Sequence, residues 1–235
     1  MSDIYNDNTY LNNNPDWHQE DAPFKAGKIL QLLSANNIIL KTVCEIGCGS
    51  GEIIVQLASK MDSNIQYTGV DISAAAIAIA KKKETSKISF QQTDITQGIN
   101  IIPYDLLLVI DVIEHIENYF EFLNKINNKG KYTLFHIPLD MSLWSLFREK
   151  MLIESKERVG HIHNFSEDFV ISILQDKGYK IIDKFYTEPL LKDGNLKRRF
   201  IHFIRNILFS INKRFCTKTI GGYSVMILTE NIPIK

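Results

Sequence analysis

Three glycines in five positions, Gly47, Gly49 and Gly51, separate two apolar stretches, "TVC" before them and "EIIVQLASK" after. The first reads as the end of a buried strand and the second as a helix. Glycine is the residue a chain uses where its backbone must turn sharply or approach a ligand closely. A strand, a glycine turn and a helix N-terminus together form the phosphate or nucleoside cradle of many α/β proteins. The spacing here is G-x-G-x-G, not the G-x-G-x-x-G that suits a dinucleotide pyrophosphate. Glu45, ending the strand, would repel a pyrophosphate but suits a ligand carrying an ammonium group. An NAD-dependent oxidoreductase is disfavoured on both counts.

Two further carboxylates extend the pattern. Asp71 follows Gly51 by twenty residues in "TGVDIS", ending a second strand. An acidic residue there can accept hydrogen bonds from both ribose hydroxyls. Asp94 ends a third strand in "QQTDI", where it can meet an adenine amino group. Helix capping and loop solvation are the bland alternatives for each carboxylate, and they are a poor account of three in succession.

Strand and helix patterns alternate along the chain. Strands are expected at "KTVCEI", "IQYTGVD", "KISFQQTD", "YDLLLVID", "KYTLFHIP", "KIIDKFYTE" and "YSVMILTE". Several are almost continuously apolar, as in a parallel sheet covered on both faces. Helices are expected at "APFKAGKILQLLSAN", "GEIIVQLASK", "SAAAIAIAKKK", "NYFEFLNKI", "SLWSLFREKMLIE" and from Ser166 to a glycine stop at Gly178. With 235 residues and 45% hydrophobic content, the chain can form one α/β domain with a proper core. Net charge is zero, so nothing global points to nucleic acid. Cys44, Cys48 and Cys216 stand at no ligand-like spacing, which fits a reducing compartment. The polar start "MSDIYNDNTYLNNNPDWHQED" is no secretory signal, and no apolar run nears the roughly eighteen residues of a membrane span. A cytoplasmic protein is the expectation.

At this point "EIGCGSG", "GVDIS", "TDI" and "DLLLVIDVIEHIEN" resemble the successive motifs of class I S-adenosylmethionine-dependent methyltransferases, over roughly residues 20 to 190 and the last strand. The resemblance implies a Rossmann-like seven-stranded, mostly parallel sheet with helices on both faces and the last strand antiparallel. It implies S-adenosylmethionine as cofactor. Glu45, Gly47, Cys48, Gly49 and Gly51 would surround its methionine portion, and Asp71 would hold the ribose. Ile72 and Ile95 would flank the adenine, Asp94 would bind the adenine amino group, and Asp111 and Val112 would lie near the sulfonium. The opening segment is similar to that of bacterial methyltransferases acting on surface glycans and secondary metabolites, with Trp17, His18 and Lys25 folding over the cofactor. Residues 1–22 are thus read as a cover and 23–235 as one methyltransferase domain.

The acceptor side is less constrained. His115, His136, His161 and His163 fall where strand ends and loops should meet the cleft. They are the candidate catalytic residues, because an alcohol acceptor must lose its proton and imidazole titrates near neutrality. A metal site from His-x-His, another histidine and Glu114 is a second reading, and satisfied loop imidazoles are a third; no metal ligand is assigned. The absence of Asn-Pro-Pro-Tyr or Asp-Pro-Pro-Tyr after the fourth strand disfavours methylation of base amino groups or glutamine amides. The lack of a Pro-Cys pair disfavours cytosine carbon-5 chemistry.

One segment stands apart. Residues 192–218 hold eight of the 27 basic residues and one of the 27 acidic ones. A basic amphipathic helical insert is expected at about 191–218, with Phe200, Ile204, Ile207, Leu208 and Ile211 on one face and Arg198, His202 and Arg205 opposite. Its uses divide between packing on its own domain or a homodimer partner, binding an acceptor phosphate, and peripheral membrane contact through residues 197–214. The combined reading is O-methylation of a small molecule, a surface-polysaccharide precursor such as a nucleotide-linked sugar, phosphate or phosphoramidate. O-methylation of a quinone-type phenol near a membrane is the alternative. A non-catalytic cofactor-binding scaffold is the alternative from another class. No nucleic-acid partner is expected.

Overall fold

A computed structural model of the chain describes residues 19–97, 103–188 and 196–232. The strands are β1 (Thr42–Ile46), β2 (Gln66–Asp71), β3 (Ile88–Gln92), β4 (Tyr104–Ile110), β5 (Gly130–Leu139), β6 (Tyr179–Thr187) and β7 (Tyr223–Asn231). The helices are α1 (Ala22–Ala35), α2 (Glu52–Ala58), α3 (Ala74–Ala80), α4 (Tyr119–Asn127), α5 (Leu143–Leu146), α6 (Lys150–Val159), α7 (Glu167–Asp176), α8 (Leu196–Ile211) and α9 (Lys213–Thr219). One seven-stranded sheet runs in the order β3-β2-β1-β4-β5-β7-β6. β1 to β5 pair in parallel. β7 is antiparallel to both β5 and β6. The expected fold class is the observed one.

Burial follows strand position. The interior strand β4 is buried from Leu106 through Ile110, whereas the edge strand β3 alternates buried and exposed residues at its start. Successive side chains on a strand point to opposite faces. Leu106 and Leu108 therefore join α1 and α2 residues such as Ile29, Leu32 and Ile54 in one core. Leu107 and Val109 join Leu123, Phe135 and Val170 in the other. This two-sided demand is what made the strand read as continuously apolar. Because the chain order reverses on either side of β1, the loops after β1 and β4 diverge and leave a crevice at their C-terminal ends.

Two local expectations change. "SLWSLFREKMLIE" forms two helices, α5 and α6, parted at Phe147–Glu149. Ser166 occupies the cap position of α7 but makes no side-chain cap bond. In the insert, α8 and α9 meet at Asn212, whose side chain accepts from Phe215 N and caps α9. On α8 it is the Arg205 side that packs inward. Phe209 is buried and stacks on Tyr223 with centroids 4.5 Å apart. Arg205, on the same face, lies 4.3 Å over the Tyr223 ring and donates to Gly221 O. Ile207, Leu208 and Ile211 are exposed. A guanidinium can be stacked and hydrogen-bonded at once, so it outcompetes aliphatic residues for this seat. Side chains of Arg198, Phe200, His202 and Ile204, and all of Trp17 and His18, lie outside the described residues.

Leu107 has no exposed surface and sits against Gly130, where an added Cβ would come within 2.6 Å of its Cγ. Leu107→Ala should therefore lower stability by about 2–5 kcal/mol. Urea unfolding followed by circular dichroism measures this.

Candidate active site

The turn after β1 holds three left-handed glycines, with φ of 71°, 52° and 78° at Gly47, Gly49 and Gly51. A Cβ at Gly47 would meet Val112 at 2.8 Å, and one at Gly51 the Phe90 ring at 2.4 Å. Gly47 N and Cys48 N donate to Val70 O at 2.8 and 3.1 Å, which ties the turn to β2. Asp71 accepts from Gly49 N and from Ser73 N, each at 2.8 Å. It therefore braces the glycine turn and the start of α3 together. Removal from water raises the Asp71 carboxyl against the pull of these amides.

A cleft of about 370 Å³ opens over these residues. Gly47, Asp71, Ile72, Asp94, Ile95 and Val112 all line it. Burial tends to raise the Asp94 carboxyl, but the Thr96 hydroxyl and amide, at 2.7 and 2.9 Å, prevail and lower it. Lys125 and Glu121 also line the cleft; no sequence motif announced them. Glu45 lies beneath, 2% exposed, with Oε2 lacking any hydrogen-bond partner. Burial lifts its carboxyl to about 8, assisted by Asp71 and opposed by Lys25. Cys48 is buried, and burial together with Glu45 pushes its thiol far up, which rules it out as a nucleophile.

Asp111, at the end of β4, adopts φ 54°. It accepts from Lys25 Nζ at 2.6 Å and contacts His136 Nδ1 at 2.5 Å. Loss of water raises its carboxyl, but His136 and Lys25 overrule that and hold it well below the usual range. Lys25 thus lies in α1, paired to β4. His136 completes the chain through Nε2 to Thr187 Oγ1 at 2.8 Å, so both its ring nitrogens are engaged.

The other three histidines gather on the far side of Val112. His163 Nε2 lies 3.0 Å from Ile116 O, and its ring packs edge-on against Tyr119. His115 Nδ1 donates to Gly160 O at 3.0 Å, and His161 Nδ1 lies 2.6 Å from Asp140 Oδ2. The His115 and His161 rings meet edge to face at 5.1 Å. Beside them Glu114 is fully buried, and neither carboxylate oxygen has a hydrogen-bond partner. Burial, reinforced by Asp111 and Asp140, raises its carboxyl well above the usual range. The two residues of the His-x-His motif take different partners. Asp140, which orients His161, carried no sequence signal beyond its place just after β5.

Residues 40–192 match the family described as "Methyltransferase domain". Over 94 residues, 39% of this chain and 37% of the relative, the sequence is 33% identical to the ubiquinone biosynthesis O-methyltransferase of Rickettsia typhi. It is 32% identical over 91 residues, 37% of this chain, to the (S)-tetrahydroprotoberberine N-methyltransferase of Eschscholzia californica. The matches span between about a quarter and a half of the length of such curated relatives. Among solved structures, the N-methyltransferase NodS from Bradyrhizobium japonicum in complex with S-adenosyl-L-homocysteine superposes with a TM-score of 0.62 at 18% identity, covering 98% of this chain and 99% of that one. Magnesium protoporphyrin IX methyltransferase from Synechocystis with bound SAH gives 0.61 at 18% identity, covering 92% and 84%. At such identities the likeness is one of fold.

Glu45 makes stability depend on pH in a defined direction. The folded chain keeps its proton up to about 8, whereas the unfolded chain releases it near 4.5. Stability without ligand should fall as pH rises through that window, by up to about 1.4 kcal/mol per unit. Glu45→Gln should flatten the decline; denaturant melts at several pH values, parent against variant, measure it.

Proposed function

Because the chain belongs to the methyltransferase domain family, we propose that it transfers a methyl group from S-adenosylmethionine to an oxygen of a small molecule. The observation that carries this reading is the buried, unpartnered Glu45 oxygen beside a glycine cradle in which Cβ positions at Gly47 and Gly51 are blocked. A carboxylate so placed suits the ammonium group of the methionine portion. Asp71 would take the ribose hydroxyls, and the adenine would lie between Ile72 and Ile95 within reach of Asp94. Gly47 and Val112 border the space left for the methionyl chain.

Methyl transfer is an in-line displacement with a good leaving group, so the chain's task is to position the reactants and exclude water. An alcohol or phenol must also lose a proton. His136 spends both ring nitrogens on the scaffold, whereas His115, His161 and His163 each spend one. We place the acceptor hydroxyl beside the cluster of Glu114, His115 and His161, whose groups would promote loss of its proton.

Of the two acceptor classes, a quinone-type phenol is favoured over an anionic glycan precursor by the insert. Arg205 faces inward, and Arg214 and Lys218 are paired with Asp168, so the basic face offers a free phosphate less than its sequence suggests. Phe203, Ile207, Ile211 and Phe215 stand exposed instead. No helix among the described residues is long and apolar enough to cross a membrane. We read this face as one that rests on a bilayer surface, its apolar residues in the interface. The paired variant Ile207→Glu/Ile211→Glu should abolish co-sedimentation with phosphatidylserine-containing vesicles. Dimerisation of the parent without vesicle binding would assign the face to a second copy.

Asp71→Asn should weaken S-adenosylhomocysteine binding by roughly 1.5–3 kcal/mol, through loss of charged hydrogen bonds. Calorimetry checks it. Unchanged affinity, or tight NAD binding by the parent, would overturn the cofactor assignment.

A further inference from the structure

We propose that Glu114, His115 and His161 form a binding site for a divalent transition-metal ion on the acceptor side of the cleft. One ligand atom from each residue lies within 4.8 Å of the other two, and Glu114 Oε1 and His115 Nε2 are 3.9 Å apart. Ligand–metal bonds of about 2.0–2.2 Å place donor atoms around one ion about 3–4 Å apart. The widest pair therefore needs to draw in by about 1 Å, which small side-chain rotations supply.

The surroundings of each ligand support a built site. Glu114 has no exposed surface, and both its oxygens lack hydrogen-bond partners. A buried carboxyl without partners is costly in a folded protein, and a cation is the partner its two flanking imidazoles leave room for. Each histidine is oriented through its other nitrogen, His115 by Gly160 O and His161 by Asp140 Oδ2. A ring fixed in this way through Nδ1 presents Nε2 to the ligand, the usual support around metal-bound histidines.

The backbone holds the three residues in register. Glu114 and His115 belong to the short 3-10 turn Ile113–His115, which follows β4. Ile162 N and His163 N both donate to Glu114 O, at 3.0 and 3.2 Å, strapping the loop that carries His161 against that turn. Gly160, left-handed at φ 80°, ends α6 and lets the loop reverse toward it. Val112 and Ile116, on either side of the turn, line the cleft.

Two imidazoles and one carboxylate favour zinc or iron over magnesium. Three protein ligands leave coordination positions for an acceptor oxygen. An ion there would lower the proton affinity of a bound hydroxyl; this last role rests on the methyl-transfer reading, whereas the site itself does not.

The test uses the full chain after chelator treatment. Cobalt(II) titration should produce visible d–d absorption saturating at one equivalent per chain, and zinc(II) should displace it. Glu114→Gln and His161→Gln should each weaken cobalt binding at least about tenfold, and Asp140→Asn should weaken it by a similar factor through His161. S-adenosylhomocysteine affinity, measured by calorimetry on the same samples, should stay within about threefold of the parent, since the metal ligands lie outside the adenosine cleft. Absence of stoichiometric cobalt or zinc binding would overturn the proposal, as would unchanged binding in Glu114→Gln and His161→Gln. Loss of S-adenosylhomocysteine binding in the parent would instead undo the methyl-transfer reading and leave the metal result standing. His161 is part-exposed in a loop, so its variant keeps the test decisive if Glu114→Gln does not fold.

Discussion

Four elements meet at one carboxylate. Asp111 ends β4 in a left-handed conformation, accepts from Lys25 of α1, and contacts His136 of β5, which reaches on to Thr187 of β6. Asp111 N also donates to His136 O at 2.9 Å, so backbone and side chain fix the same pair of strands. The left-handed φ is what swings the carboxylate out of the sheet plane toward α1. That strain is held by the surrounding bonds. A partly buried ion network contributes little net stability, but removing one member leaves the others charged and short of partners. Its value here is positional. It locks the N-terminal helix, the β4 edge and the antiparallel end of the sheet into one rim around the cleft.

The same rim explains what could be read from the sequence and what could not. Strand β4 was legible because both its faces are covered, so Leu106 through Ile110 are apolar without a break. Glu45, Asp71 and Asp94 stand out in the sequence because each falls at or just past the end of a strand and none had an apolar reason to be there. Partnerships were less visible. Lys25 and Asp111 stand 86 residues apart, and periodicity carries no signal for a bond of that span. The inward packing of Arg205 is absent from the sequence signal for a related reason. The hydrophobic face of α8 is clear in the sequence, but the seat over Tyr223 rewards a guanidinium that can stack and donate to Gly221 O together. Amphipathic pattern therefore marks two faces on the helix without saying which of them packs inward. The histidines were noticed as a group, yet only three-dimensional packing separated His136, spent on the scaffold, from His115 and His161, brought to Glu114.

Carboxyl groups crowd this end of the sheet, and the chain treats each differently. Asp71 is held by backbone amides, Asp94 by a threonine hydroxyl and amide, and Asp111 by Lys25 and His136. Glu45 and Glu114 have buried oxygens with no hydrogen-bond partner. The division has a chemical logic for the proposed reaction. The sulfonium is positive before transfer and neutral after it. A bare carboxylate facing it would stabilise the reactant more than the transition state, in which that charge is already dispersing, and would raise the barrier. Asp111, the acid placed nearest the sulfonium by motif, is the one whose charge Lys25 offsets, with His136 as its second partner. Glu45, whose Oε2 has no hydrogen-bond partner, sits beside the glycine turn, where the ammonium group of the proposed cofactor would stay positive throughout the reaction. Binding energy spent on that ammonium is the same before and after the methyl moves, so it anchors the cofactor without opposing transfer.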